Sequence, residues 1–162
     1  MAKTPSFVGP ATSARVITPS DRALTELAAR LRIAITRTAR RLRQEAGTDL
    51  SPSQTAALST IDRHGPLTPS ELAALERVKR PTATRIVARL EGEGLVQRAA
   101  DPADGRSFVV SATAQGRALM RKLRSRKNVY LARRLRELSG DEVAVLARAA
   151  EILERLQEGE RR

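Results

Sequence analysis

Residues 68–113 constrain the fold of this chain most strongly, because they combine two short capped helices with two β-rich segments joined by a turn. The first helix opens on TPSE, a capping box with Pro at the first helical position. A second helix is predicted to begin at the RP pair of residues 80–81 and to end before Gly94. The turn sequence DPADG then separates the two β-rich segments. This order predicts a helix-turn-helix followed by a β-hairpin, which is the arrangement of a winged-helix lobe.

Helical patterns flank this lobe on both sides. Apolar residues at positions 24, 28, 31 and 35 recur at gaps of four and three, which predicts one long helix over residues 20–47. The last predicted helix, opened by Ser139, is apolar on more than one face, and such a helix needs more cover than one neighbour supplies. Two copies that bury their terminal helices together provide this cover, so a homodimer is predicted. The alternative is a monomer whose first helix folds back over the last one.

The chain is therefore expected to be mainly α-helical with a small β-hairpin. A winged helix-turn-helix lobe is joined to a helical dimerisation region formed by the N- and C-terminal helices. The predicted divisions are a flexible N-terminal arm (1–19), a dimerisation helix (20–47), the winged helix-turn-helix lobe (48–112) and C-terminal dimerisation helices (113–162).

Charge and composition narrow the classes of function. The formal net charge of +12 favours a polyanionic partner, most often a nucleic acid; the alternative is a basic but inert surface. The sequence has no Cys and a single histidine, His64, so disulfides, thiol chemistry and a multi-histidine metal site are excluded. No stretch approaches the ~18 apolar residues of a membrane span, and no secretory signal pattern is present. We therefore expect a cytoplasmic protein that needs no cofactor and makes no membrane contact.

The helix that begins near Arg80 carries the side chains expected to recognise double-stranded DNA. Arg85 has the geometry to contact guanine O6 and N7 in the major groove. Thr82 and Thr84 offer hydroxyl groups to phosphate or methyl groups to thymine, and Arg89, one turn after Arg85, suits a phosphate. The alternative for each arginine is a solvated position on a surface helix.

Two further places are predicted to touch DNA. Thr68 and Ser70 lie where free backbone N–H groups at a helix start can hold a phosphate, although pure helix capping explains them equally well. Arg106 follows the hairpin turn and can enter a minor groove, while Asp104 holds the tip in shape or pairs with Arg106. No second acid, histidine or nucleophile accompanies Asp104 in a local motif, so the chain is not expected to be an enzyme.

The basic run of residues 117–136 is open to several interpretations. Its first turns follow the predicted hairpin directly and can meet phosphates. The later side chains are either solvated or paired with Glu151, Glu154 and Glu158 of the last helix.

The stretch from Leu67 to Gly116 resembles the MarR family of bacterial transcriptional regulators. The resemblance depends on three segments in combination: LTPSELA, then RPTATRIVARLEGEGLVQR, then DPADGRSFVVSATAQGR. One long helix before these segments and two after them agree with the family over residues 20–157. The chain departs from the family where Gly105 replaces a residue that is often basic, and where Ala112 replaces a usual Leu.

The resemblance implies a nucleoid-associated bacterial regulator that binds a pseudo-palindromic operator as a homodimer. In such a dimer the helix at 81–92 lies in the major groove of the DNA and the hairpin reaches the minor groove. It also implies release by a small ligand, often aromatic or phenolic, whose identity and pocket the sequence does not indicate. The predicted function is sequence-specific transcriptional repression. The predicted DNA-binding residues are Thr68, Ser70, Arg80, Pro81, Thr82, Thr84, Arg85, Arg89, Arg98, Asp104, Arg106 and Ser107.

Two other functions fit parts of the sequence. A non-specific architectural protein of the nucleoid would also carry a large positive charge. A winged-helix module used for protein contacts would not need Arg85 or Arg106.

Overall fold

The computed structural model describes residues 20–102 and 107–158, so the predicted arm at 1–19 lies outside the described residues. The prediction of a mainly helical chain with a small hairpin is confirmed. The elements in chain order are α1 (Asp21–Ala46), α2 (Pro52–His64), α3 (Pro69–Leu75), α4 (Arg80–Gly92), β1 (Val96–Ala100), β2 (Phe108–Ala112), α5 (Ala114–Leu135) and α6 (Gly140–Glu158).

The chain divides into two compact units between Thr38 and Ala39. In the first unit the structure describes the N-terminal turns of α1. The predicted apolar stripe is present there, and the large apolar side chains on it and beside it are between 40% and 49% exposed. Leu24, Leu31 and Ile35 lie on the stripe, and Leu27 and Ile33 lie beside it.

The second unit contains a contiguous apolar core. Leu58 and Ile61 of α2, Leu72 of α3 and Val87 and Leu90 of α4 are at most 1% exposed. Helices α2 and α4 therefore each bury one face in this core, with Ile86 only partly buried. The core also includes residues from the segments that flank the lobe, namely Ala46 of α1 and Met120 and Leu123 of α5.

Local capping chemistry sets where the helices begin. Ser51 forms a capping box with Gln54, and Pro52 occupies the first helical position. Thr68 forms the predicted box with Glu71. The side chain of Thr113 accepts a hydrogen bond from the Gly116 amide at the start of α5. The predicted start of α3 is therefore confirmed.

The hairpin is tied to the helices by a third short segment. Strands β1 and β2 pair antiparallel, from Val96 opposite Ala112 to Ala100 opposite Phe108. Leu67, just before α3, exchanges two hydrogen bonds with Val110, at 3.0 and 2.8 Å. This bridge joins the connection between α2 and α3 to the hairpin, and no local sequence pattern predicts it.

Helix α6 contributes no buried residue among its described side chains. Val145 is 67% exposed and Leu156 is 65% exposed, and Leu146 and Ile152 are also exposed. The wide apolar arc predicted for this helix is present and is open to solvent in the single chain.

Candidate nucleic-acid interface

A four-residue turn sets the angle between α3 and α4. Arg77 in this turn has a φ of +52°, a left-handed conformation that few non-glycine residues adopt. The amide of Val78 donates to the carbonyl of Ala73 at 2.9 Å, which closes the turn against the end of α3. The two helices are therefore held at a fixed corner.

A side-chain hydrogen bond joins this corner to α2. The hydroxyl of Thr60 donates to Oε1 of Glu76 at 2.5 Å, and both groups are partly buried. Since Glu76 directly precedes Arg77, this bond holds the turn against α2. Sequence reasoning missed the pair, because its two members are 16 residues apart and no local motif links their side chains.

Helix α4 has one face in the core and one in solvent. Ala83, Val87 and Leu90 are buried. Arg85 and Arg89 are exposed, and neither guanidinium group makes a hydrogen bond or ion pair with another described residue. This division of the helix leaves two guanidinium groups available to an external acceptor.

The start of α4 presents further polar groups. Arg80, Pro81 and Thr82 are exposed in the first turn, and Lys79 at the cap position makes no side-chain capping bond. The hydroxyl of Thr84 donates to the carbonyl of Arg80 at 3.1 Å, which leaves its oxygen lone pairs free to accept. All of the α4 residues predicted to bind DNA thus lie at the surface of one helix.

At the start of α3 the capping interpretation of Thr68 accounts for its contacts. Its hydroxyl accepts from the Glu71 amide at 3.2 Å and donates to Glu71 Oε2 at 2.9 Å. The backbone and side chain of Thr68 together lower the pKa of Glu71 below its usual 4.5. Ser70 is exposed beside them. Phosphate binding by Thr68 and Ser70 stays a prediction.

A close backbone contact fixes the hairpin against α5. Gly94 turns the chain out of α4 with a φ of +70°. The hydroxyl of Thr113 donates to the carbonyl of Gly94 at 2.7 Å. A Cβ atom on Gly116 would lie 2.1 Å from the carbonyl oxygen of Leu95, so only glycine fits there. This geometry explains the T-x-x-G spacing at the start of α5.

The described base of the hairpin is closed by the Asp101 amide, which donates to the carbonyl of Ser107 at 3.2 Å. The predicted wing-tip residues Asp104 and Arg106 lie outside the described residues. Arg98 has intramolecular partners: its Nε is 2.9 Å from Glu91 Oε2, and its guanidinium lies 4.5 Å from the centre of the Phe108 ring. These contacts orient Arg98 at the hairpin, and its contact with DNA stays a prediction.

Several arginines of α5 have partners that the sequence did not indicate. Arg117 donates to the carbonyl of Ala112 at 2.6 Å, and Arg124 pairs with Asp62 of α2 at 3.1 Å. Among the described residues Glu151 pairs with Arg148 of its own helix instead of with α5. The basic run is therefore partly structural.

Neither a metal site nor a membrane span is found in the described part of the chain. No group of three or more acidic, histidine or cysteine side chains is close enough to hold an ion within residues 20–102 and 107–158. No helix in these ranges has the length and apolar character needed to cross a membrane.

Comparison with known proteins gives a consistent result. The model of the MarR family matches residues 50–108. An HTH-type transcriptional regulator of Mycobacterium tuberculosis is 38% identical over 128 residues, which cover 78% of this chain and 90% of that protein. The HTH-type transcriptional repressor NicR of Pseudomonas putida is 34% identical over 103 residues, covering 60% of this chain and 62% of the repressor.

Solved structures give the same fold. The structure of a MarR family protein from Bacillus stearothermophilus superposes with a TM-score of 0.76 at 25% identity, and the match covers 87% of this chain and 99% of that one. The winged helix-turn-helix architecture predicted from the sequence is confirmed.

Proposed function

This chain belongs to the MarR family of DNA-binding transcriptional regulators, and from that premise we propose that it is a homodimeric repressor of a pseudo-palindromic operator. The observation that carries the proposal is the division of α4. One face of this helix is anchored in the core by Val87 and Leu90, and the other presents Arg85 and Arg89 unpaired to solvent. A rigid helix with free guanidinium groups has the form that the major groove admits.

The side chains on α4 have different roles in this proposal. Arg85 contacts a guanine edge with two hydrogen bonds and carries sequence specificity. Arg89, Arg80 and the hydroxyl groups of Thr82 and Thr84 bind phosphates and set the register of the helix on the duplex. Thr68 and Ser70 at the start of α3 add contacts to the phosphate backbone of the DNA.

The hairpin supplies a second contact in the proposal. Arg106 enters the adjacent minor groove, Asp104 shapes the tip, and Ser107 binds a neighbouring phosphate. Arg98, which already contacts Glu91 and Phe108, supports the strand from which the tip projects.

The proposed pairing of two chains is the reason for proposing an operator with two-fold symmetry. Exposed apolar side chains run along α6, including Val145 and Leu156, and such a surface is unusual for an isolated chain. Burial against a second copy places two α4 helices on successive major grooves, about 34 Å apart. A solution mass of a single chain at micromolar concentration would refute this part of the proposal.

A ligand-responsive role is favoured by a cavity in the second unit. The cavity measures about 270 Å³ and lies between the last turns of α1, the start of α2 and the middle of α5. Leu50 and Leu123 provide an apolar floor, and Arg40, Arg43 and Lys127 line it with positive charge. We propose that it accepts a small anionic aromatic or phenolic effector, which shifts the population toward a spacing unsuited to the operator.

The test of sequence recognition compares two single substitutions on α4. Arg85→Ala is expected to lose about 1–3 kcal/mol of discrimination at one base step, while Arg89→Ala weakens binding to all sequences and lowers the salt slope by about one. Arg63→Ala, an exposed position on α2, serves as the charge-matched control. Binding to a battery of single-base operator variants provides the measurement. Equal loss across all base steps for Arg85→Ala would contradict base recognition by this residue.

Two further DNA-binding measurements, with scrambled DNA and with Arg106→Ala, separate the remaining functions. The regulators among the relatives favour sequence recognition over an architectural role in the nucleoid. An architectural protein would bind scrambled DNA as tightly as the operator, and a protein-contact module would tolerate Arg85→Ala and Arg106→Ala without any change in DNA binding.

A further inference from the structure

The C-terminal end of α1 is capped by a side chain from α5. The last carbonyl groups of a helix have no donor within the helix itself. One nitrogen of Arg126, Nη1, donates to the carbonyl of Ala46 at 2.9 Å and to that of Gly47 at 3.0 Å. A guanidinium group at this position also complements the negative end of the helix dipole. A single side chain therefore bonds α5 to the end of α1 across 80 residues of sequence.

The backbone at Gly47 is adapted to this cap. Gly47 has a φ of +56°, which ends α1 in a left-handed conformation. A Cβ atom there would lie 3.2 Å from Nη1 of Arg126, closer than ordinary van der Waals contact. The glycine thus provides both the conformation and the space that the guanidinium needs.

Ala46 at the end of α1 and Leu123 of α5 belong to the buried core, but the contact around Tyr130 is polar and open. Tyr130, one turn after Arg126, has the guanidinium groups of Arg41 and Arg133 each 5.8 Å from its ring centre. Beside it lies a cavity of about 300 Å³ bordered by Glu45 and Val129, the latter 68% exposed. Because close apolar packing is what holds helices in one arrangement, this seam depends more than the core does on its few directed bonds.

We propose that Arg126 is a positioning residue for operator binding: its two hydrogen bonds hold the last turn of α1 and the middle of α5 together. The inference rests on the proposed homodimer, in which the terminal helices pair the two chains, so that this junction determines the distance between the two α4 helices. Arg126 makes no contact with DNA in this role. Its loss alters the spacing of the recognition helices and leaves each lobe intact.

The absence of Cys from the chain allows a direct measurement of that spacing. Ala88→Cys introduces one thiol on the exposed side of α4, so a spin label there gives a single inter-subunit distance in a dimer. In the full-length protein we expect a narrow distance distribution by pulsed electron paramagnetic resonance. Adding Arg126→Ala should broaden or shift this distribution, and Arg126→Lys, which keeps a charged donor, should restore part of it.

Arg121→Ala is the matched control, because Arg121 lies on the same helix, is exposed, and its side chain makes no hydrogen bond or ion pair with another described residue. It removes the same charge and should leave the distance distribution unchanged. Operators with one base pair added or removed between half-sites provide the functional readout. Arg126→Ala should weaken binding to the natural spacing about tenfold, the size expected for loss of a charge-assisted hydrogen bond. It should bind an isolated half-site as wild type does.

The outcomes separate this inference from the proposed function. A dimer whose distances and spacing preference are unchanged by Arg126→Ala would overturn the positioning role alone. A label that reports no inter-subunit distance in the wild-type background would overturn the proposed dimer and, with it, this role. Equal weakening on half-sites and full operators would show that Arg126 acts inside the lobe or on DNA, and would also overturn the inference.

Discussion

The lobe around α4 and the terminal helix α6 contain the same apolar residue types, but these are buried in the lobe and exposed on α6. Leu58 and Leu90 in the lobe are fully buried within the chain. Leu146 and Ile152 of α6, by contrast, remain 46% and 41% exposed. Because removal of apolar surface from water is the main driving force of folding, the lobe meets its own requirement and α6 does not. Pattern alone therefore shows where a helix needs a partner, but not whether the partner belongs to the same chain.

The largest difference between the lobe and α6 is expected when one leucine in each region is replaced by alanine. Leu58→Ala should lower the free energy of unfolding by about 2–5 kcal/mol, because it leaves a cavity in a closely packed core. Leu146→Ala should change the stability of the lobe little and instead raise the dissociation constant of the dimer. Chemical denaturation at several protein concentrations distinguishes the two. A concentration-independent loss of equal size in both variants would contradict the contrast.

Substitution at the close backbone contact between Gly116 and Leu95 should lower the stability of the lobe nearly as much. Gly116→Ala forces a methyl group against the Leu95 carbonyl, and we expect a loss of about 2–3 kcal/mol from overpacking. Gly140→Ala, at the start of α6, meets nothing within 4 Å and serves as the control. Thermal unfolding monitored by circular dichroism provides the comparison. A Gly116→Ala variant as stable as the control would show that the hairpin and α5 are less tightly joined than the structure indicates.

Relief of backbone strain in the turn before α4 should change the free energy of unfolding less, and in the opposite direction. Arg77→Gly relieves a left-handed conformation that costs about 1–3 kcal/mol, and most of this gain is offset by the greater freedom of glycine in the unfolded chain. We expect unchanged or slightly raised stability. Ala74→Gly, in regular helical conformation on α3, should lose about 1 kcal/mol. If the two glycine variants lose stability equally, the turn holds no strain.

The smallest effect concerns the acid dependence of the helix starts. The backbone and hydroxyl of Ser139 lower the pKa of Glu142 below its usual 4.5, as Thr68 does for Glu71 in the lobe. A carboxyl group with a lowered pKa in the folded state stabilises the protein above its unfolded pKa, and this contribution is lost as pH falls through the folded value.

Replacement of Glu142 or Glu71 by Gln should therefore lower the melting temperature slightly at pH 7 and flatten its decline below pH 4.5. Glu71→Gln should act on the lobe and Glu142→Gln on the dimer. Melting curves at closely spaced pH values test both. An unchanged acid decline in the double variant would assign that decline to other groups.

Sequence reasoning succeeded where the physical cause is local. The starts of α2, α3 and α5 were predictable because Ser51, Thr68 and Thr113 cap them with hydrogen bonds that span three residues. The buried and exposed faces of α4 followed from helical periodicity. Contacts between distant segments gave no such signal, and the Leu67–Val110 bridge and the Arg126 cap were not foreseen. Each joins groups whose neighbours in sequence do not require a partner.

The candidate site was predictable to the same extent. The sequence placed Arg85 and Arg89 on the free side of α4, and the structure agrees. It could not show that Arg98 already contacts Glu91 and Phe108, because that contact depends on how the strand lies beside the helix. The DNA contacts of these residues remain predictions.

The central claim, that α4 recognises a base sequence, is tested most directly by affinity for two duplexes of equal length and composition. One carries the sequence most enriched among DNA fragments that co-purify with the protein, and the other is its scrambled form, both measured at the same salt concentration. Specific protein–DNA complexes typically exceed non-specific ones by about 10³-fold or more. We predict a ratio in that range, reduced by Arg85→Ala. Equal affinities for the two duplexes would contradict the account.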